Sequence, residues 1–409
     1  MRSTLRRPGL AITIAVSVAV AACGTLPAPS PDPSTPASPL PSTTAVPPTP
    51  RPLPGHELYG FVPYWEMDDT IAAHLKQTPL TTLALFSVTA TAAGELDATQ
   101  AGYRRITGQV GRDLIRMAHS LGMRVDLTFS SFGLARNQAL FSDQPAQDAV
   151  IRELVSLAGR LGVDGLDIDV ESLNPVLVPA YGAFVGRARA ALVAANPAGR
   201  VTVATTGHVI GAAMAEAAVA AGADRVFLMG YDYRISTDDP GAEAPIARRD
   251  GDDRSLPWSL DLYATLGVPV ERTILGLPLY GMRWPVAGPV IGAPRTGPGQ
   301  AWIPEHNLDV LTDARIVPLR DDIEQVEVYL FGSDGSTGAP SPGASPRPAL
   351  PEVTWQAVYV DSPQTLAPKL ALANDRGLAG AGFWAIGYER GLPGYADLMR
   401  RFVAGDALP

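Results

Sequence analysis

Eight short, apolar, β-rich runs recur along this chain of 409 residues, and stretches of helical periodicity lie between most of them. The runs fall at 58–64, 82–89, 124–129, 165–170, 201–205, 225–231, 273–279 and 380–386. The helical patterns fall at 106–121, 146–161, 178–195, 210–221, 256–266 and 362–376. Alternating strands and helices imply a parallel sheet with crossover helices. Eight such units predict an α/β protein of the closed (β/α)8 TIM-barrel type rather than an open, doubly wound sheet. An open sheet more often carries a Gly-rich phosphate loop after its first strand, and nothing of that kind follows Tyr64. The apolar content of 46% is ample for a large core. The barrel is expected to occupy residues 56–405.

One gap is too long for a single strand-to-helix connection. Between Trp284 and Thr354 lie Trp302, a strand-like run at 326–331, and a loop at 332–351 rich in Pro, Gly and Ser. Unstructured loops of such length are uncommon in compact domains. We read an insertion between strands seven and eight, at about 285–354, that builds one wall of the barrel mouth and carries a flexible tongue.

The fourth run holds the most informative residues, Val163-Asp164-Gly165-Leu166-Asp167-Ile168-Asp169-Val170-Glu171. Successive side chains of a strand point to opposite faces. Asp167, Asp169 and Glu171 therefore share one face, and Leu166, Ile168 and Val170 share the other. Asp164 has the opposite parity and reads as structural. Three carboxyls on one side of a strand repel each other and resist desolvation. Such a row at a strand tip suits proton handling in a hydrolase. Two other readings stand beside it: a Mg²⁺ or Ca²⁺ site, since clustered carboxylates bind hard cations, and a structural network. Gly162 ends the preceding helical stripe as a C-cap would.

In a (β/α)8 barrel, functional side chains sit at the C-terminal ends of the strands. Those ends here carry Phe61 and Trp65 (strand one), Met229, Tyr231 and Asp232 (strand six), Tyr280 and Trp284 (strand seven) and Trp384 (strand eight). Aromatic faces suit sugar rings, while carboxyls and hydroxyls suit their rims.

The N-terminus predicts a location. Arg2, Arg6 and Arg7 precede an apolar run from Leu10 to Ala22, which is too short for a stable membrane span. It closes with Val20-Ala21-Ala22-Cys23-Gly24, and Cys23 is the only cysteine. This resembles a bacterial lipoprotein signal over residues 1–22, with Cys23 lipidated and the protein held at the outer face of a membrane. Residues 23–55 hold twelve of the 39 prolines and no apolar periodicity. They read as an extended stalk. The lone cysteine excludes a disulfide framework or Cys-ligated zinc. The five histidines form no pair at helical spacing, so neither a metal nor a cofactor is expected. A formal charge of −9 without basic clusters argues against nucleic acid and is compatible with a neutral or cationic glycan.

The run 163–171 agrees at every constrained position with the active-site pattern of glycoside hydrolase family 18, which this chain resembles. Met229-Gly230-Tyr231-Asp232 is similar to that family's strand-six motif, Leu275–Gly281 to its strand-seven segment, and Phe383-Trp384 to the tryptophan at the floor of its sugar site. The family's strand-three Ser-x-Gly-Gly appears as Ser130-Ser131-Phe132-Gly133. The resemblance implies retaining, substrate-assisted cleavage of β-1,4 bonds next to N-acetylglucosamine in chitin, chitooligosaccharides or peptidoglycan. It assigns Glu171 as general acid, Asp169 as the group that orients the acetamide, Asp167 as its proton-sharing neighbour, and Tyr231 as a hydrogen-bond donor to the acetamide oxygen. Asp232, Trp384, Tyr280, Met229, Phe61 and Trp65 are expected to contact the sugar. A non-catalytic glycan-binding barrel is the alternative, and Glu171 favours the enzyme. The protein is expected to act as a monomer.

Overall fold

The computed structural model describes residues 56–333 and 353–409. The signal segment, Cys23, the stalk and all but the first two residues of the 332–351 loop lie outside the described residues.

Eight parallel strands close into a barrel. In chain order the first seven are β1 (Glu57–Pro63), β2 (Thr82–Val88), β3 (Arg124–Phe132), β4 (Gly165–Glu171), β5 (Arg200–Thr206), β6 (Arg225–Met229) and β7 (Thr273–Pro278). Five strands of a second sheet follow: β8 (Gly281–Val286), β9 (Gln300–Trp302), β10 (Leu319–Asp321), β11 (Val326–Gly332) and β12 (Trp355–Val360). The last barrel strand is β13 (Gly380–Trp384), which pairs with both β1 and β7 and so completes the ring. The predicted (β/α)8 barrel is the fold that forms.

Alternation along each strand sorts the residues. On β4, Leu166, Ile168 and Val170 face outward and join Leu154, Leu157 and Ala158 of the helix Gln144–Leu161 in the main core. That helix starts at Asp143, whose carboxylate accepts from the Ala146 amide at 3.2 Å, and stops at Gly162, whose φ of 71° only glycine adopts at little cost. Inside the barrel a smaller aromatic cluster forms around Phe61 and Phe227, whose rings meet edge to face at 4.9 Å. Fully burying each such side chain stabilises the fold by about 1.5–3 kcal/mol.

Several expectations need correction. The helix expected at 106–121 is two helices, Ala101–Thr107 and Gln109–Ser120, because Gly108 takes an extended conformation between them. Strand three runs three residues further, to Phe132, while strand six stops at Met229 and leaves Tyr231 and Asp232 on the loop beyond it. The insertion is larger than 285–354. It begins at Gly281, three residues past the end of β7, and ends at Val360. Trp284 therefore does not belong to the barrel mouth. It is fully buried in the second sheet, edge-on to Tyr359 at 5.9 Å.

This second sheet, ordered β10-β11-β12-β8-β9 and antiparallel, braces the mouth. The long loop between β6 and the helix Leu256–Thr265 is clamped by the turn after β10. Glu324, almost wholly buried, pairs with Arg234 at 2.9 Å and accepts the Ala242 amide at 2.6 Å. Asp321 pairs with Arg249 at 2.7 Å. A buried carboxylate is tolerated only when its lone pairs are taken, and here Glu324 and Asp321 take their partners from the loop they hold.

Candidate active site

The C-terminal end of β4 delivers the acid row to the barrel interior. Asp167 is 0% exposed and Asp169 is 4% exposed, while Glu171 at the tip is half-buried. Neighbouring strands supply polar companions. By register, Thr128 of β3 lies beside Asp167 and Ser130 beside Asp169. The Ser130 hydroxyl is 2.7 Å from that of Ser87 on β2. The Glu171 main-chain carbonyl accepts from the Asn137 side chain, and Asn137 in turn accepts from the Ser131 hydroxyl at 2.7 Å. These bonds fix the tip of β4 before any ligand arrives.

Burial dominates the electrostatics. Asp167 is raised well above the ordinary carboxylate range by desolvation and by the charge of Asp126. Asp169 is raised by desolvation, then by Glu171 and Asp167. Glu171 is pushed up to about 7 by desolvation, with Asp232 adding to the shift. A carboxylic acid that keeps its proton near neutral pH is what a general acid requires. The Tyr231 hydroxyl is held neutral by burial, and Asp169 and Asp232 reinforce this.

Tyr231 and Asp232 follow the end of β6, two strands round the barrel from β4 and within electrostatic range of Glu171. Asp232 takes a φ of 59°, a costly conformation for a non-glycine residue that concentrates at functional sites. It opens onto the cleft, while protein crowds its carboxyl from the other sides and raises its pKa. The Tyr280 hydroxyl donates to it, and the Tyr231 and Tyr280 rings meet edge to face at 6.1 Å. Trp384 lies at the end of β13, part-exposed. Its ring rests against Phe86 at 4.6 Å, Phe61 at 5.6 Å and Trp65 at 6.2 Å. Trp65 is 41% exposed, and its indole donates to the Tyr388 hydroxyl at 3.1 Å. Phe132, 44% exposed, extends the apolar strip by stacking on Phe86 at 6.3 Å.

Two expected contact residues sit deeper than the sequence suggested. Phe61 is 1% exposed and supports Trp384 from beneath, and Met229 is likewise buried in the inner cluster. Two acids escaped the sequence reading, and one hydroxyl was noted there only as part of the strand-three motif. Asp126 and Ser130 face inward on β3, and Glu243 stands beside Asp232. Inward parity on 124–130, where Asp126, Thr128 and Ser130 alternate with apolar residues, could have found the first two. Glu243 carried no such signal, because it lies on an irregular loop. It is 3% exposed, its carboxyl lies against Asp232, and burial with the Asp232 charge raises it far above the usual range. Asp164, by contrast, is tied to His119 at 2.8 Å and to the Val125 amide at 2.8 Å on the outer side.

A pH dependence of stability follows. For acids with raised folded-state values, such as Asp126 at about 6 and Glu171 at about 7, the linked stability is fully present below the unfolded value and is lost as pH rises through the folded one. Asp68, Asp164 and Asp250 are lowered and work in the opposite sense, losing stability only as pH falls through their folded values below about 4. The melting temperature is therefore expected to be higher near pH 5 than near pH 8, as read by scanning calorimetry at about constant ionic strength. A melting temperature that climbs steadily over that interval would contradict the buried-acid account.

Known proteins give the same frame. Residues 60–389 match the family described as Glycosyl hydrolases family 18, and the chain belongs to that family. Chitotriosidase-1 of Mus musculus is 23% identical over 287 residues, a stretch covering 63% of this chain and 56% of that protein, so the chain spans about half of its length. The fold is shared with the family 18 chitinase of Cycas revoluta in complex with (GlcNAc)3 (TM-score 0.67, 19% identity, 85% of this chain and 99% of that one). It is also shared with the Bacillus cereus spore cortex-lytic enzyme SleL (TM-score 0.66, 17% identity, 86% and 75%).

Proposed function

We propose that this protein is a retaining glycosidase that cleaves β-1,4 bonds next to N-acetylglucosamine in chitin, chitooligosaccharides or peptidoglycan, using the substrate's own acetamide as nucleophile. The observation that carries the reading is Glu171, half-buried at the tip of β4 with its carboxyl near 7, above a stack of buried acids and facing Tyr231, Asp232 and Trp384. Glu171 donates its proton to the glycosidic oxygen while the acetamide carbonyl oxygen attacks the anomeric carbon. The leaving sugar departs and a cyclic oxazolinium ion remains. Asp169 orients the acetamide and balances the positive charge, and the Tyr231 hydroxyl donates to the acetamide oxygen. Water then attacks the anomeric carbon, losing its proton to the Glu171 carboxylate, and the acetamide reopens. Asp232, with Tyr280 behind it, binds the sugar and keeps the Glu171 proton in place by its charge. Trp384 is the platform beneath the ring, and Trp65 and Phe132 extend it. Family membership supports this chemistry, as does the trisaccharide carried by the Cycas revoluta relative. Assay of the protein on chitooligosaccharides and on purified peptidoglycan tests it. Turnover of neither substrate by a folded protein sinks the reading.

We further propose that Cys23 is lipidated and holds the barrel at a membrane surface. The motif 20–24 and the proline-rich segment after it support this. Two acyl chains suffice for stable anchoring where one is marginal. Cys23→Ser is expected to release the protein into the medium or to leave an unprocessed precursor, with hydrolytic activity unchanged. Wild type that takes up no labelled fatty acid and is found free in the medium would exclude the anchor.

A further inference from the structure

A fourth carboxyl lies beneath the acid row. Asp126 occupies the β3 position that pairs with Gly165 at the start of β4, and it is 2% exposed. The Tyr59 hydroxyl of β1 donates to its Oδ2 at 3.0 Å, and the Thr202 hydroxyl of β5 approaches the same oxygen at 3.4 Å. Its Oδ1 has no hydrogen-bond partner among the described residues, and the Thr128 hydroxyl stands beside the Asp167 carboxyl. Gly165 makes the arrangement possible, because a Cβ there would stand 2.3 Å from Asp126 Oδ1. The next side chain that β4 sends inward is Asp167. An apolar residue would fill the barrel floor at far less cost than a carboxyl.

We propose that Asp126 is a positioning residue for the acid row: its carboxylate holds the proton on Asp167, which then donates toward Asp169, so that the column alternates charged, neutral, charged, neutral from Asp126 to Glu171. The inference rests on the glycosidase reading and explains how its cation-stabilising carboxylate stays ionised in a buried site. The charged groups acting on Asp167 and Asp169 are all acids, namely Asp126, Glu171 and each other. With no cation among the described residues to neutralise them, protons must do so, and like charges at such range cannot all ionise. Asp126 is the member best placed to stay charged. Two hydroxyls aim at it, Arg124 on its own strand and Arg200 on β5 favour its ionised form, and Asp164, just ahead of β4, opposes it. Burial raises it only to about 6. The groups around Asp167 are Asp126 and Thr128 of β3, Asp169 above it, and the hydroxyls of Tyr59, Tyr181 and Tyr231.

The test is Asp126→Asn, which keeps the shape and removes the charge. Asp167 should then lose its proton at lower pH. The alkaline limb of kcat is expected to move down by at least about half a pH unit, and kcat at neutral pH to fall about tenfold, with KM within about twofold. Tyr59→Phe withdraws the donor that favours the Asp126 carboxylate and should move the limb in the same direction by less. The double variant should move it no further than Asp126→Asn, because no charge remains for Tyr59 to hold. A second readout needs no turnover. In a background that carries both Glu171→Gln and Glu243→Gln, difference infrared spectroscopy should show a buried protonated carboxyl at neutral pH, and Asp126→Asn should weaken it. Should Asp126→Asn fail to fold, the Tyr59→Phe profile and the infrared band of the Glu171→Gln, Glu243→Gln protein decide. An unchanged kcat profile, or absence of that band, overturns the proposal. Wild type that hydrolyses no N-acetylglucosamine glycan would instead sink the glycosidase reading, leaving the infrared result to judge Asp126 alone.

Discussion

Replacing Glu171 with glutamine is expected to reduce hydrolysis of N-acetylglucosamine oligomers by about 10²-fold or more, while the protein melts where wild type does and still binds the sugar. General acid catalysis contributes roughly 10²–10⁴-fold. Glutamine matches the carboxylic acid in shape and is neutral, as Glu171 is below its pKa of about 7. Packing around the strand tip is thus preserved, since the contact that holds it, from Asn137, goes to the main chain of residue 171 and not to its side chain. What glutamine lacks is a transferable proton. Initial rates on chitooligosaccharides, with a binding isotherm and a melting curve for the same variant, separate loss of chemistry from loss of fold. Retention of more than about a tenth of the wild-type rate would show that the proton comes from elsewhere.

The second large effect concerns the substrate. If the acetamide is the nucleophile, a fully deacetylated chitosan or a plain β-1,4 glucan is expected to be cut at least about 10²-fold more slowly than the acetylated chain, because proximity of a built-in nucleophile is lost. A thiazoline analogue of the cyclised intermediate is expected to bind at least about 10²-fold more tightly than N-acetylglucosamine, as analogues of high-energy species do. The buried environment of Asp169 explains why. Burial and its acidic neighbours hold the Asp169 carboxyl above the usual range, and no cation among the described residues pairs with it, so a positive oxazolinium in that low dielectric favours its ionised form and is stabilised by it. Cleavage of an unacetylated glucan at a comparable rate would require a carboxylate nucleophile instead and would exclude the substrate-assisted route.

Much of the frame was legible without coordinates. Strand four shows why. Its inward acids and outward aliphatics follow from the two-residue period of a strand, which depends on nothing beyond the segment itself. The count of eight units rests on the same kind of local signal, and so does the C-cap at Gly162. Where reading failed, the competing effect was non-local. Trp284 looked like a strand-seven tip residue because it follows Tyr280 by four positions. In the fold the chain turns at Gly281 into a second sheet, and the partner that draws Trp284 there, β12, lies some seventy residues away.

Sequence alone determined which side chains of this protein could act together along one strand: Asp167, Asp169 and Glu171 share a face because backbone geometry leaves them no alternative. Only the tertiary structure decided what stands next to that row. Barrel closure and cross-strand register bring Asp126 beneath Asp167 and Tyr59 against Asp126. They also bring Tyr280 to Asp232, and the Glu324 clamp to the loop that carries Asp232 and Glu243. These neighbours come from segments tens to hundreds of residues apart, so their proximity is set by the packing of whole elements and not by any local pattern. Burial among them turns ordinary carboxyls into groups that hold protons near neutral pH.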